Sequence, residues 1–276
     1  MTTWFILGAG YTGSRLADRL VREGHEDIVV TRRRAGDAAG VAASYASPHV
    51  RALACDLGEP STIVIPDGAI VVCTAPPGAN PRAEILGLVD QARHAQRLVY
   101  VSSTGVYGPA HGAWVDETFP VAPITSSGRA RAAAESALPS SAISLRVAGI
   151  HGPGRGLVDR IRTGAYRIIG DGSAHVSRIH VDDLVEAIVR AGLSDVRGPV
   201  NIADDDPAPI GEVADELARR VGKPAPPRVD PASVDPEIAG MLTADRRILN
   251  TRMKTELGVV LRYPSWRDAI DAAASA

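Results

Sequence analysis

The sequence predicts an α/β fold, in which helices cover both faces of a doubly wound parallel sheet. Three observations support this prediction: short apolar runs alternate with longer amphipathic stretches, the runs are apolar on both faces, and the first run leads into a glycine-rich turn. Right-handed crossovers then favour a doubly wound strand order. Strands are predicted at 4–8, 27–31, 50–54, 69–74, 97–102 and 142–147, and helices at 11–23, 82–95 and 128–138.

The glycine-rich turn has the spacing GxGxxG and directly follows the apolar run that begins at Trp4. Gly8 permits the tight turn, Gly10 lets the backbone approach a pyrophosphate, and Gly13 lets the next helix lie close to its strand. The helix N-terminus then faces the anion. A glycine-rich turn without a ligand is the alternative, but the strand-turn-helix context favours a Rossmann-type dinucleotide site. Its predicted residues are Gly8, Gly10, Tyr11, Thr12 and Gly13.

The end of the second predicted strand indicates which dinucleotide binds. An NAD enzyme of this architecture places a carboxylate there, whereas this chain reads Thr31-Arg32-Arg33-Arg34. Guanidinium groups form charge-assisted bonds to a 2′-phosphate, so Arg32 and Arg33 favour NADP, with NAD as the weaker alternative. A solvated basic loop is the other interpretation. Asp56 and Leu57 close the third strand, where Asp56 is either an acceptor for the adenine amino group or an ordinary turn or helix-cap residue.

Composition and charge exclude several classes of protein. The chain has 276 residues, 45% apolar content and a formal charge of −2, which suits one large domain or two unequal ones. No basic excess indicates a nucleic-acid partner. The N-terminal apolar stretch is too short to span a bilayer, so we predict a cytoplasmic protein with no membrane partner. Cys55 and Cys73 lack metal-ligand spacing and are predicted to be buried thiols, and no metal site is predicted.

The regular alternation of elements loosens after about residue 150, which suggests two lobes. Residues 1–150 are predicted to form the NAD(P)-binding Rossmann domain and 151–276 a small substrate-binding lobe. Segments near 178–203 are candidates to rejoin the first domain. Further predicted elements are helices at 182–192 and 210–221, a strand at 199–203, an extended proline-rich surface segment at 223–236, and helical spacing at 245–257 and 265–275.

Four segments, read in order, resemble the extended short-chain dehydrogenase/reductase family, which includes NAD-dependent epimerases and dehydratases. They begin at Gly8, Val99, Leu145 and Arg178, and read GAGYTG, VYVSSTGVYG, LRVAGIHGPGR and RIHVDDL. The resemblance implies a Rossmann lobe that carries NAD(P) and a C-terminal lobe that closes over a small-molecule substrate. It also implies that Thr74, Ala75 and Pro76 flank the nicotinamide half of the cofactor.

The resemblance places the catalytic residues, and here the chain departs from the family. The family uses a Ser or Thr after the fifth strand, a role that Ser103 fits, followed by a YxxxK pair. In this chain Ser127 stands in the tyrosine column and Arg131 in the lysine column. Serine is a far weaker acid than a phenol, and a guanidinium does not relay protons.

Other side chains are candidates for the missing proton transfer. His151 follows the sixth predicted strand, where the family borders its substrate, and a histidine can titrate near neutral pH. Further candidates by chemical type are Tyr107, Tyr166, His111 and His180, of which His180 is predicted to be structural.

Two further departures concern the substrate. The family's usual Asn and Arg for a nucleotide-sugar diphosphate are replaced by Gly149 and Val176, which favours a small carbonyl or alcohol substrate. Arg155, Arg160 and Arg178 are candidates to compensate for the missing arginine, but each is expected by default to be solvated. We therefore predict an NADP-binding oxidoreductase or epimerase-like enzyme. The alternative is a non-catalytic dinucleotide sensor or partner-docking protein, and a homodimer is possible for either.

Overall fold

Seven parallel strands form the central sheet of the protein, whose computed structural model describes residues 2–45 and 47–268. The strands are β1 (Trp4–Leu7), β2 (Ile28–Arg32), β3 (Val50–Ala54), β4 (Ile70–Cys73), β5 (Arg97–Ser103), β6 (Ile143–Val147) and β7 (Gly198–Ile202). Their order is β7-β6-β5-β4-β1-β2-β3, and every neighbouring pair is parallel. The predicted Rossmann-type α/β fold is confirmed. The order reverses between β1 and β4, where such sheets form a ligand crevice at the carboxyl ends of their strands.

Helices cover both faces of this sheet. The helices are α1 (Tyr11–Arg22), α2 (Ala35–Ser44), α3 (Pro81–Gln91), α4 (Ser126–Glu135), α5 (Leu157–Arg162), α6 (Val181–Leu193), α7 (Ile210–Arg220), α8 (Pro236–Leu242) and α9 (Thr251–Thr255). Buried Leu16 of α1 and Ile188 of α6 belong to the core on one face, and Leu88 of α3 and Ala134 of α4 to the core on the other. Among the residues described, no helix combines the length and apolar content needed to cross a membrane.

A third cluster of buried residues lies in the second half of the chain. It joins Ile161 of α5 to Leu217 of α7 and includes Tyr166 and Trp266. Four short strand pairs lie outside the central sheet. They join 149–151 to 178–180, 168–169 to 228–229, 175–176 to 208–209, and 114–115 to 247–248. Strand β7 nevertheless belongs to the central sheet. The chain therefore returns to this sheet at Gly198–Ile202 and leaves it again afterwards. The lobe boundary at residue 150 stays a prediction.

Several elements differ from the sequence-based expectation, among them the unpredicted helices α2, α5 and α8. Helix α2 was not predicted, because Ala35–Ser44 carries two glycines and only one large apolar residue, Val41. The helix expected over 245–257 is wrong for most of its length: Asp245 has a φ of +46°, residues 247–248 pair as a strand, and only α9 is helical. The helix expected at 265–275 falls mostly outside the described residues.

Candidate functional site

The three glycines of the first turn have different surroundings. A Cβ on Gly8, whose φ is +103°, would lie 2.9 Å from the amide nitrogen of Ala75, and one on Gly13 would lie 2.1 Å from the carbonyl oxygen of Gly8. A Cβ on Gly10 would meet no atom of the described residues within 4 Å. The protein's own packing therefore requires Gly8 and Gly13, whereas Gly10 borders open space at the start of α1. This opening, beside helix amides that begin at Tyr11 and Thr12, fits a pyrophosphate.

Residues at the end of β4 hold this turn in place. The Thr74 hydroxyl donates to the carbonyl oxygen of Gly8 at 2.6 Å. The amides of Thr74 and Ala75 both donate to the carbonyl oxygen of Leu7, at 2.9 and 3.0 Å, and Pro76 follows as an exposed residue. The segment expected beside the nicotinamide thus lies at the point where the strand order reverses, and Thr74 positions the glycine turn.

The arginines at the end of β2 lie next to the same turn, because the Gly8 amide donates to the Thr31 hydroxyl of that strand at 3.1 Å. Arg32 is half-buried, and its Nε is buried without a hydrogen-bond partner among the described residues. Arg33 is exposed, with its Nε 3.7 Å from the Asp56 carboxylate. Arg32 therefore has a buried donor that no described residue satisfies.

Asp56 and Leu57 have local structural contacts. The Asp56 carboxylate accepts from the Gly58 amide at 2.9 Å, which is the pattern of an Asx turn, and it also faces Arg33. Leu57 is buried in the core beneath α3. These contacts favour the turn interpretation of Asp56 over an adenine contact.

Ser103 and the first turn of α4 lie in the same region. The Ser103 hydroxyl oxygen closes β5 by accepting from the Gly105 amide at 3.0 Å. A Cβ on Gly128 would lie 2.3 Å from the carbonyl oxygen of Gly105, so the two backbones are in direct contact. The fold therefore brings Ser103 close to the turn that carries Ser127.

Ser127 is bound to a carboxylate that the sequence analysis missed. Glu237, from α8, accepts from the amides of Ser126 and Ser127 at 2.7 and 2.9 Å and from the Ser127 hydroxyl at 3.0 Å. These bonds lower the pKa of Glu237 to about 2. The only sequence signal was the helix start at Asp235-Pro236, and nothing in it indicates a contact across 110 residues.

Arg131 lies one turn further along α4 and faces the sheet. Its Nη1 donates to the carbonyl oxygen of Val101 at 2.6 Å, which fixes the guanidinium against β5. The neighbouring phenol of Tyr100 is buried, and this burial raises its pKa. Tyr100 is therefore not an acid at neutral pH, in spite of the cation beside it.

The pKa of His151 does not lie near neutral pH, although its residue type suggested that it would. Burial lowers the pKa of His151 to about 3, with smaller electrostatic contributions from His180 and Arg178. Its ring packs edge-on against His180 with centroids 5.4 Å apart. His180 is structural as expected, since its Nδ1 accepts from the Asp182 amide at 3.2 Å and caps α6.

Tyr11 connects the glycine turn to the segment that carries His151. Its hydroxyl donates to the carbonyl oxygen of Pro153 at 3.1 Å. The guanidinium carbons of Arg15 and Arg155 lie 3.8 and 5.2 Å from the centre of its ring. The start of α1 and the loop after the 149–151 strand are therefore held together.

A buried polar group lies deeper in the second half of the chain. Arg178 is only 7% exposed, so the expectation that it is solvated is wrong. Its main-chain oxygen accepts from the Asp204 amide at 2.7 Å. One oxygen of Asp204 and one nitrogen of Arg178 lack partners among the described residues, and burial raises the pKa of Asp204 to about 8.

Comparisons with known proteins agree with this architecture. Residues 82–203 match the model of the NAD dependent epimerase/dehydratase family. A Streptomyces protein named 3-diazoavenalumate denitrifying reductase is 34% identical over 205 residues, which are 66% of this chain and 67% of that protein. A solved structure of a conserved protein of unknown function from Silicibacter pomeroyi is 30% identical, with a TM-score of 0.84 over 100% of this chain and 99% of that one.

A more distant structure shares the fold. Human epimerase family protein SDR39U1, solved with NADPH, is 20% identical with a TM-score of 0.78, and 99% of each chain is covered. The prediction from the four sequence segments is confirmed by the family match and the relatives. This chain belongs to the NAD-dependent epimerase/dehydratase family.

Proposed function

We propose that this protein is an NADP-dependent oxidoreductase that reduces a small organic substrate. The observation that carries the proposal is the open space at Gly10, next to a half-buried Arg32 whose Nε has no hydrogen-bond partner in the described part of the chain. Backbone amides suit the diphosphate, and guanidinium groups suit the 2′-phosphate that distinguishes NADP from NAD. The Streptomyces relative is named a reductase, and the human neighbour was solved with NADPH.

Bound NADPH would supply a hydride, and the chain's own residues would hold and orient the reactants. The Ser103 hydroxyl accepts from Gly105, which leaves its proton free for a heteroatom of the substrate. Arg131, fixed against β5, can offer the remaining guanidinium donors to ribose hydroxyls. A carbonyl compound or alcohol is the substrate class that the sequence predicts.

Single-turnover reduction tests the proposal. NADPH deuterated at C4 on either face is mixed with the protein and a panel of aldehydes, ketones and imines, and the products are analysed by mass spectrometry. We expect deuterium in one product from one face only. Tight NADPH binding without transfer to any compound would contradict the oxidoreductase proposal and favour the sensor.

The second candidate function is a dinucleotide sensor, and one observation favours it. The Ser127 hydroxyl donates to Glu237, and His151 is held neutral, so neither acts as an acid near pH 7. General acid–base catalysis contributes about 10² to 10⁴-fold to typical rates, so its loss slows a hydride transfer without abolishing it. We therefore place the oxidoreductase first.

A further inference from the structure

We infer that the substrate is a cationic carbon–nitrogen electrophile, such as an iminium ion, and that Glu237 is the side chain that selects it over a neutral ketone. This inference rests on the proposed NADPH-dependent reduction and replaces only its substrate class. It follows from which groups at the start of α4 carry charge and which of them can release a proton.

Reduction of a ketone requires a proton donor, because hydride addition leaves an alkoxide. The phenols near this region are unsuited to that role. The Tyr107 hydroxyl is buried, donates to Asn201 Oδ1 at 2.7 Å and accepts from Arg146 at 2.9 Å. Tyr100 is buried as well, and the Ser127 hydroxyl proton is directed at Glu237. An acceptor that needs no proton during hydride transfer fits this set of side chains.

The charge at the start of α4 favours the same class of substrate, a cationic electrophile. Glu237 is an ionised carboxylate bound to Ser127, so an alkoxide that formed beside Ser127 would be repelled. An iminium ion is positively charged before hydride arrives and neutral afterwards, so the carboxylate attracts the reactant and releases the product. Of the nearby cations on α4, Arg131 faces β5 through its bond to Val101, and the Arg129 guanidinium donates to the carbonyl oxygen of Ile124 at 2.9 Å.

Apolar side chains next to Glu237 suit the organic part of such a cation. Ile124 precedes α4 and is 47% exposed, and Ile238 follows Glu237 on α8 and is 46% exposed. A Cβ on Gly240 would lie 3.3 Å from Ile124, so α8 packs directly against this segment. A carboxylate flanked by exposed aliphatic side chains is suited to a hydrophobic cation.

The proposed step is balanced in atoms and electrons. One hydride, with its two electrons, leaves C4 of NADPH and forms a C–H bond at the iminium carbon. The π pair of the C=N bond moves to nitrogen, which becomes a neutral amine, and NADPH becomes NADP⁺. The amine takes its proton from solvent after release, so no side chain has to donate one.

Two matched pairs of compounds test the inference on the full-length protein. For turnover, 2-methyl-3,4-dihydroisoquinolinium is compared with the neutral ketone 1-tetralone. For binding in the presence of NADP⁺, the unreactive cation 2-methylisoquinolinium is compared with neutral 2-methylnaphthalene. We expect kcat/KM for the iminium to exceed that for the ketone at least tenfold, and we expect the inert cation to bind at least tenfold more tightly than its neutral isostere.

Two variants separate charge from structure. Glu237→Gln should lose at least tenfold in affinity for the cation, while the Kd of the neutral compound changes less than twofold. Ser127→Ala, which keeps the carboxylate, should retain the preference. If Glu237→Gln does not fold, the wild-type protein still decides the question, because added NaCl should weaken binding of the cation and leave the neutral compound unaffected.

The outcomes distinguish the two proposals. Faster reduction of 1-tetralone would overturn the cationic substrate class and leave an NADPH-dependent reductase. Equal binding of the cation and its isostere, or an equal loss of both in Glu237→Gln, would also overturn it. Failure to bind NADPH at all would instead remove the function on which the inference rests.

Discussion

The glycine turn and the start of α4 lie at the same edge of the sheet but are built in different ways. At the glycine turn, backbone meets backbone, and residues from β1, β4 and α1 contact one another within the first 75 residues. At the start of α4, the decisive contact is a carboxylate that arrives from α8, 110 residues later. The first region carries the GxGxxG spacing of a dinucleotide turn, and the second carries Ser127 and Arg131 at the positions where the resemblance implies a YxxxK pair. We infer that cofactor binding and acceptor chemistry can vary separately in this fold.

The largest expected effect separates two glycines of the turn. Gly13→Ala drives a Cβ into the Gly8 carbonyl and should lower the free energy of unfolding by about 3 kcal/mol and abolish NADPH binding. Gly10→Ala is the matched control, since its Cβ lies more than 4 Å from the other described residues that could crowd it. It should leave the melting temperature unchanged and still weaken NADPH binding at least tenfold. Unchanged NADPH affinity in Gly10→Ala would show that the open space at Gly10 is not the pyrophosphate site.

The next-largest expected effect is a pH dependence of stability, which arises from Asp204 in the second half of the chain. The pKa of Asp204 is raised from 3.8 to about 8, so between these values the folded protein holds a proton that the unfolded chain releases. Stability should therefore fall as pH rises through this window, by about 2 to 3 kcal/mol between pH 5 and pH 7.5. Asp204→Asn should remove that slope in urea unfolding experiments. An identical slope in the variant would contradict the assignment to Asp204.

Arg32 tests whether the first region distinguishes NADP from NAD. Loss of a charge-assisted bond typically costs about 1.5 to 3 kcal/mol, so Arg32→Ala should weaken NADPH binding roughly 10- to 100-fold and leave NADH binding unchanged. Arg34→Ala is the control, because Arg34 is exposed at the start of α2. Fluorescence titration measures both cofactors. Equal losses for NADPH and NADH would remove the argument for a 2′-phosphate site.

The smallest expected effect concerns the support of the glycine turn. Thr74→Val removes the hydroxyl that donates to Gly8 and should lower the free energy of unfolding by about 1 kcal/mol and NADPH affinity several-fold. Thr74→Ser keeps the hydroxyl and should behave like the wild type. Wild-type stability and NADPH affinity in Thr74→Val would contradict the role of this hydroxyl.

The difference between the two regions also explains what the sequence could predict. The apolar runs and the GxGxxG spacing predicted the sheet and the turn, because strands buried on both faces and glycines in close backbone contact leave local signatures. Helix α2 was missed because its alanines and glycines have almost no apolar periodicity.

The missed features of the site have in common that tertiary contacts create them. Glu237 looks like an ordinary helix-start residue until α8 lies against α4. The low pKa of His151 and the burial of Arg178 likewise depend on elements that are distant in sequence, and residue type alone suggested the opposite of both.

Calorimetric titration of the purified protein with NADPH and NADH tests the central claim most directly, which is that amides at the start of α1 and the guanidinium of Arg32 together hold an NADP-type dinucleotide. We predict saturable heat with both cofactors and at least tenfold tighter binding of NADPH. No heat from either cofactor at millimolar concentration, or tighter binding of NADH, would contradict the account.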